Sequence, residues 1–436
     1  MSIDQDLIDY AREKEHELQE AALTREHIDA EDDRASSGRD DADRDYARVL
    51  YSSAFRRLQD KMQLFSPRQN RFHRNRLTHS LEVAQIAKII AKKAQLQDTL
   101  TVQTCALAHD IGNPPFGHYG EGILNELQRQ GNNSAGFEGN AQTFRVLTTL
   151  EEKHYDYNGL NLTWRTLFGV VKYPNDNLTN ETKYLYQPDW DYVKNSAKNL
   201  NVTIGLNNDR LIRTIDAEIM DIADEIAYAA HDLHDALKQG YFTIDELIHE
   251  FSMSKEYGSS LHHFIESVNK AREFASKANS YGTSEEYSSL FLRELSSEIV
   301  NKLVSDVGII NNSLNYKNYE KLAIGLKKLT YAAVSRKRDI KQYELMGEKV
   351  IRGLFQVYSD TSYNKQGKLL PMDYVKGYKI DFDKDGSPIP SHKSLLKTAI
   401  TDYIAGMMDS FAIEQYQKYF GETDLNKLYF RSSDFT

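Results

Sequence analysis

Cys105-Ala106-Leu107-Ala108-His109-Asp110-Ile111-Gly112-Asn113-Pro114-Pro115-Phe116-Gly117-His118-Tyr119-Gly120-Glu121 is an apolar run that ends on an imidazole beside a carboxylate and opens into a turn rich in Gly and Pro. Such a pair offers a divalent metal one nitrogen and one oxygen from a single rigid corner. His109, Asp110, His118 and Glu121, four groups that bind metals or move protons, fall within thirteen positions. The chain holds further adjacent pairs, His231-Asp232 among them, but no Pro-Pro turn follows any of these. Two ligands do not close a site, so facing helices must present others inward. The expectation is therefore a mainly helical, all-α protein, in keeping with only 8 Pro residues.

Working outward, the first candidate partner is His79. It stands in the first turn of a helix expected from Leu77 to Gln95, whose apolar face carries Leu77, Leu81, Ala84, Ile86, Ile89 and Ile90. A lone His there is either a satisfied core or capping imidazole, or a ligand. The second candidate is Asp224, on a helix expected over Arg213–Leu237 and flanked by Ile222, Ala223, Ile226 and Ala227. Tyr228 and Asp232 follow at steps of four and share its face. A carboxylate on an apolar face needs a cation or a partner, because burying it bare is costly; the alternative is a solvated acidic stripe. His79, His109, Asp110 and Asp224 together make a two-nitrogen, two-oxygen set. That set suits Mn, Fe, Co, Ni or Zn, and Mg less well.

Elsewhere the patterning gives organisation. Residues 1–30 read as an amphipathic helix, 31–46 as a polar loop, and 47–63 as a helix broken by Ser66-Pro67. A helix over 99–109 ends where Gly112 lets the chain turn, and another is expected from Glu121 to Gln130. A Gly/Asn-rich loop follows at 131–140, then a poorly periodic stretch at 151–210. Residues 241–350 read as further helices, Tyr374-Val375-Lys376-Gly377-Tyr378-Lys379-Ile380 alternates as a small β-hairpin would, and a final helix covers 396–420. No internal repeat is present. Three segments result: 1–46, an N-terminal helix and loop; 47–240, which holds the candidate ligands; and 241–436, a further helical region.

The 436 residues carry a net charge of −10, so bulk electrostatics do not favour a polyanion. The segment 56–76 runs against this, with Arg56, Arg57, Lys61, Arg68, Arg71, Arg74 and Arg76 against Asp60 alone. It is either a local anion site or a solvated basic face. No apolar run approaches the ~20 residues that cross a bilayer, and the N-terminus lacks the regions of a signal peptide. The single cysteine, Cys105, excludes an intrachain disulfide framework and suits a reducing cytosol. It reads as a buried small residue rather than a nucleophile. The expectation is a cytoplasmic protein without a membrane segment.

The H…HD…D pattern resembles HD-domain phosphohydrolases. Longer strings narrow the resemblance to bacterial deoxyguanosine triphosphate triphosphohydrolases: Ser52 to Lys61, Arg74 to Ala84, His109 to His118, Phe137 to Gln142, Leu162-Thr163 with Lys172-Tyr173-Pro174, Asp221 to Tyr228, and Asp402 to Met407. It is dense over 35–240 and returns near 400–415. Met62, Asn113 and Met408 depart from the family's usual residues, and none is a presumed ligand.

The resemblance implies an HD-domain helical core with added C-terminal helices. It implies hydrolysis of a deoxynucleoside triphosphate, dGTP first, to deoxynucleoside and inorganic triphosphate by attack of water on the α-phosphorus. It assigns a divalent metal ion (Mn, Mg, Co or similar) to His79, His109, Asp110 and Asp224. It makes His118 the general acid, with Glu121 orienting and polarising it. Phosphate contacts fall to Arg76, Asn140, Lys172, Tyr173 and Lys183. Gln63, Tyr228 and Asp232 are expected around the sugar, with Leu64 beside the base. It also implies a homo-oligomer, up to a hexamer, and an effector that is single-stranded DNA or a nucleotide. Two other readings stand beside it. One is another HD phosphohydrolase, such as a deoxynucleoside monophosphatase or a nuclease; the other is a non-catalytic nucleotide-binding regulator.

Overall fold

A computed structural model describes residues 4–27, 38–65, 74–130, 136–207, 210–277 and 282–421. The expected break at Ser66-Pro67, the basic residues Arg68 and Arg71, residues 31–37 of the polar loop at 31–46 and the first half of the 131–140 loop lie outside these. The fold is mainly helical, with two small antiparallel hairpins, Gly205–Asn207 with Arg210–Ile212 and Val307–Ile310 with Ser313–Tyr316. Among the described residues, no helix is long and apolar enough to cross a membrane.

Three helices frame the His-Asp corner, and each starts on a side-chain cap. Asn75 accepts from Thr78 N at 3.0 Å while Thr78 Oγ1 accepts from Asn75 N, a reciprocal box that starts Arg76–Lys93 one turn ahead of His79. Asp98 accepts from Leu100 N and Thr101 N to start Thr99–Ala108, which delivers His109. Thr214 accepts from Ala217 N to start Ile215–Ala227, which carries Asp224. These helices bury Val83, Ala87, Ile90, Val102, Leu107, Ile219 and Ile226 in one large apolar cluster. A second cluster takes Met62, Phe116, Leu124 and Phe137 from the expected catalytic segment, and Tyr343, Met346, Ile351, Ile400 and Ile413 from the expected C-terminal one. The corner sits at the seam between the two.

Several elements differ from expectation. The 47–63 helix is in fact Asp41–Leu50, started by an Asp40–Asp43 capping box, then Ser53–Arg57 and a tight turn at Leu58–Asp60. Ser52 divides them because its Oγ accepts from Phe55 N and restarts the helix. The helix expected from Glu121 begins earlier, as Gly117–Arg129. Arg213–Leu237 is Ile215–Ala227 and Leu233–Lys238 joined by a π-helical turn at Tyr228–Asp232, a widening that often accompanies functional sites. No hairpin forms at 374–380: Met372–Gly377 is helical, and Tyr374, Val375 and Tyr378 pack on the second cluster at helical spacing. The final helix is two, Lys393–Ala405 and Asp409–Phe420.

Gly112 is needed for closeness rather than for a left-handed turn. A Cβ there would stand 2.5 Å from the Gln142 carbonyl carbon and 2.6 Å from Gly139 O, and nearer still to Thr143 N. All three are backbone atoms of the Gly139–Arg145 helix and cannot swing aside. Gly112→Ala is therefore expected to destabilise the fold by about 3 kcal/mol or more, read as a lowered melting temperature. An unchanged melting temperature would mean that the two segments do not touch this closely.

Candidate metal centre and catalytic pair

His79, His109 and Asp224, all buried, each place one ligand atom within 4.8 Å of the others. His79 Nε2 lies 3.1 Å from Asp224 Oδ1, and His109 Nε2 lies 3.5 Å from the same oxygen. His109 Nδ1 donates to Ala106 O at 2.6 Å, which leaves Nε2 as the nitrogen facing the carboxylates. That buried Nε2 has no hydrogen-bond partner among the described residues. Asp110 joins less directly. Its Oδ1 is 3.6 Å from His109 Nε2 and accepts from Asn113 Nδ2, while its Oδ2 is held by Arg76 Nη1.

The electrostatics ask for a cation. Burial pushes the His109 imidazole down, but Asp110 and Asp224 outweigh it and hold it up at about 9. Burial likewise pushes the Asp224 carboxyl up, and Lys172 and the two imidazoles outweigh that and hold it well below the usual range. Two imidazoles and a carboxylate with an unpartnered nitrogen among them are a donor set that fits a divalent metal ion.

His118 and Glu121 open the next helix. His118 Nδ1 lies 2.9 Å from Glu121 Oε2, and Glu121 Oε1 accepts from Gly139 N at 2.9 Å. The His118 side chain is 60% exposed and that of Glu121 only 14%. Burial pushes the Glu121 carboxyl up, yet the His118 hydrogen bond and charge, with Lys183 and the Gly139 amide, hold it down at about 2. The imidazole thus faces solvent on an anchored carboxylate.

The expected phosphate contacts are paired with carboxylates. Lys172 Nζ lies 2.7 Å from Asp221 and 3.0 Å from Asp224. Lys183 Nζ lies 2.8 Å from Glu138 Oε1, which Asn140 Nδ2 also contacts at 2.7 Å, and it sits 5.7 Å from the Tyr173 ring centroid. Arg76 is buried on Asp110. Among its described residues, the basic segment is neither a free anion site nor a solvated face throughout. Arg57 pairs with Glu151, Arg74 with Glu82 and Asp235, and Lys61 is buried on two carbonyls, while Arg56 is exposed.

Around the expected sugar site, the Tyr228 ring centroid lies 5.0 Å from that of His79. Asp232 is buried, and burial, with Asp235, pushes its carboxyl well up. Gln63 has both amide atoms buried without a partner among the described residues. Leu64 packs half-buried against the larger apolar cluster. Cys105 is buried, with Sγ 3.6 Å from Thr166 O.

Three residues were not foreseen. Asn113 holds Asp110, Glu138 holds Lys183 and Asn140, and Lys327 Nζ lies 4.8 Å from the Tyr228 ring centroid. Asn113 and Glu138 stand inside strings already singled out. Lys327, on the Glu320–Ser335 helix, carries no local signal.

Comparison with known proteins agrees with this arrangement. Residues 76–229 match the HD domain family and residues 317–418 the phosphohydrolase-associated domain. A helical scaffold that gathers these candidate ligands within the matched segment makes the chain an HD phosphohydrolase. The chain is 48% identical to the deoxyguanosinetriphosphate triphosphohydrolase-like protein 2 of Vibrio cholerae, over 98% of its own length and 100% of the relative's. It is 33% identical to the deoxyguanosinetriphosphate triphosphohydrolase-like protein of Rickettsia rickettsii, over 88% of its length and 92% of the relative's. To that of Geobacter sulfurreducens it is 32% identical, over 87% and 88%. The chain belongs to this deoxyguanosinetriphosphate triphosphohydrolase-like family.

Proposed function

We propose that the protein hydrolyses a deoxynucleoside triphosphate, dGTP before the others, to the deoxynucleoside and inorganic triphosphate. Water attacks the α-phosphorus, the bond to the 5′-oxygen breaks, and that oxygen leaves with a proton. The observation that carries this reading is the meeting of His79, His109 and Asp224 within 4.8 Å at the corner whose following helix opens on the His118–Glu121 pair. The relatives' name, deoxyguanosinetriphosphate triphosphohydrolase-like protein, supports the substrate.

Each residue then has a part. His79, His109, Asp224 and, beside them, Asp110 hold a divalent cation, Mn, Co or Mg. When bound, such a cation supplies Lewis acidity at a phosphoryl oxygen and lowers the pKa of water. His118 gives its proton to the leaving 5′-oxygen, and Glu121 keeps the imidazole aimed and polarised. Arg76, Lys172, Lys183, Asn140 and Tyr173 receive the triphosphate, the two lysines trading a carboxylate partner for a phosphate one. Gln63 and Asp232 hold the 3′-hydroxyl, and Tyr228 packs under the ribose where a 2′-hydroxyl would clash. Leu64 lies against the base, and Lys327, stacked on Tyr228, joins the pocket from the C-terminal region. Residues 47–240 form the catalytic core, and residues 241–436 complete the pocket and the contacts of a cytoplasmic homo-oligomer. Single-stranded DNA or a nucleotide modulates it.

Incubation with each dNTP and each of Mg, Mn and Co, with products followed by phosphorus NMR, tests the reading. Inorganic triphosphate is the expected product, with dGTP consumed fastest. Orthophosphate or pyrophosphate instead would make the protein another HD phosphohydrolase. Binding without release of any phosphorus species would make it a regulator.

A further inference from the structure

Among the described residues the His118 imidazole has one hydrogen-bond partner, Glu121, and its side chain is largely exposed. Its direction therefore depends on where its helix starts. That start is unusual. Phe116 has φ +63° and Gly117 φ +62°, so two successive left-handed residues precede His118. A left-handed non-glycine costs free energy and persists only where its surroundings enforce it. No side chain of the Phe116 cap position bonds the helix end, so the enforcement comes from elsewhere.

It comes from the C-terminal region. Phe116 N donates to Asp409 Oδ1 at 3.0 Å. The Phe116 ring packs edge-on to Tyr343, with centroids 5.7 Å apart. Its ring also presses on Gly347, where a Cβ would stand 2.6 Å from Phe116 Cγ. Tyr343 OH in turn donates to Asp409 Oδ2 at 2.8 Å, and Met62 N donates to the same oxygen at 3.1 Å. The neighbours of Met62 are tied to the same C-terminal stretch. Asp60 Oδ2 accepts from Ser410 N at 3.0 Å, and Lys61 Nζ bridges Asn113 O and Ala405 O. Asp409 is itself fully buried. One carboxylate, at the start of the Asp409–Phe420 helix, thus joins the segment that leads into Gln63 to the turn that launches His118.

We propose that Asp409 is a positioning residue for the reaction, fixing the left-handed Phe116 turn so that His118 is aimed at the leaving group. The identity of that leaving group rests on the function proposed above. The carboxylate does the work because both its oxygens accept. Three donors (two backbone amides and a phenol) converge on it, and an amide in its place would turn one acceptor into a donor facing an N–H. Burial pushes this carboxyl up, and the hydrogen bonds from Phe116 N, the Tyr343 phenol and Met62 N work against it, leaving it at about 6.

Asp409→Asn, His118→Ala and the double variant, assayed with dGTP and Mn2+, test this. Asp409→Asn is expected to lower kcat about tenfold or more, with KM within threefold and Mn2+ affinity unchanged, since the amide leaves one donor unmet. In the His118→Ala background the same substitution is expected to change the residual kcat by less than twofold. A full, multiplicative loss there overturns the proposal, as does an unchanged kcat in a folded Asp409→Asn protein. Should Asp409→Asn not fold, Tyr343→Phe removes one of the three donors; it is expected to lower kcat several-fold only when His118 is present, and an unaffected kcat counts against the proposal. A readout independent of turnover separates this from failure of the functional reading. The His118 ring-carbon NMR signal is expected to move in Asp409→Asn in the direction it moves in Glu121→Gln. An unmoved signal overturns the positioning role even if dGTP proves not to be the substrate.

Discussion

Asp224→Asn is expected to abolish the rise in melting temperature that Mn2+ gives the wild-type chain and to lower turnover on the order of a thousandfold. The first effect follows from linkage: a ligand that binds only the folded state at about 100 times its Kd stabilises it by about 2.7 kcal/mol. The second follows because a bound metal supplies several kcal/mol of transition-state stabilisation, and each ~1.4 kcal/mol is tenfold in rate. Asp224 is the side chain on which the centre turns. One of its oxygens faces both imidazoles, at 3.1 Å and 3.5 Å, and the other faces Lys172 at 3.0 Å. The amide keeps the shape and removes the charge. The fold is expected to survive, because Lys172 retains Asp221 at 2.7 Å. Glu225→Gln, at the next position, is the control and is expected to leave the Mn2+ effect intact. Calorimetric titration with Mn2+ and melting curves with and without the ion provide the measurement. A full Mn2+ shift in Asp224→Asn would place the metal elsewhere.

The parts of this centre that could be read from the sequence are those whose chemistry is local. His109 and Asp110 are adjacent, and Asp224 announces itself by standing among Ile222, Ala223, Ile226 and Ala227, where a carboxylate has no reason to be without a partner. The helices that carry them were legible for the same reason, because period and caps are written in neighbouring residues. What was not legible is mostly pairing at a distance. Nothing near Lys172 reveals that it sits on Asp221 and Asp224, nor near Lys183 that it sits on Glu138. Asp409 is the extreme case, a lone carboxylate at the start of a helix whose three partners come from three other segments.

Two local signals were read with the wrong weight. Tyr374, Val375 and Tyr378 fit alternation and helical spacing alike, and packing on the second apolar cluster settles them as helix. The real hairpin over 307–316 turns at Asn311-Asn312, both with positive φ, a two-residue turn of the kind that suits Asn. Its apolar run, Val307 to Ile310, is short enough to serve helix or strand, so nothing local sets it apart from the helices expected over 241–350. Gly112 shows the opposite lesson. A glycine after a helix suggests a turn, whereas here the demand is for bare backbone against the Gly139–Arg145 helix.

His118→Ala is expected to lower kcat by about a hundredfold to ten-thousandfold, the range a general acid contributes, while the dissociation constant for dGTP changes by less than threefold. Binding should survive because the imidazole is largely exposed and its hydrogen-bond partner among the described residues is Glu121, so its removal opens no large cavity. Glu121 keeps the Gly139 amide and the nearby Lys183 charge. Glu121→Gln should cost less, about tenfold, since the amide can still contact His118 but no longer stabilises its charge. The Glu121 carboxyl is held at about 2, so it stays ionised across any working pH. An acid limb in the rate profile near pH 5 must therefore arise from another group, and it should persist in Glu121→Gln. Single-turnover kinetics and equilibrium binding of dGTP in Ca2+, a hard dication that commonly supports binding without turnover, separate chemistry from affinity. Full turnover in a folded His118→Ala protein would require a different proton donor and would leave the exposed imidazole at the start of this helix without a chemical role.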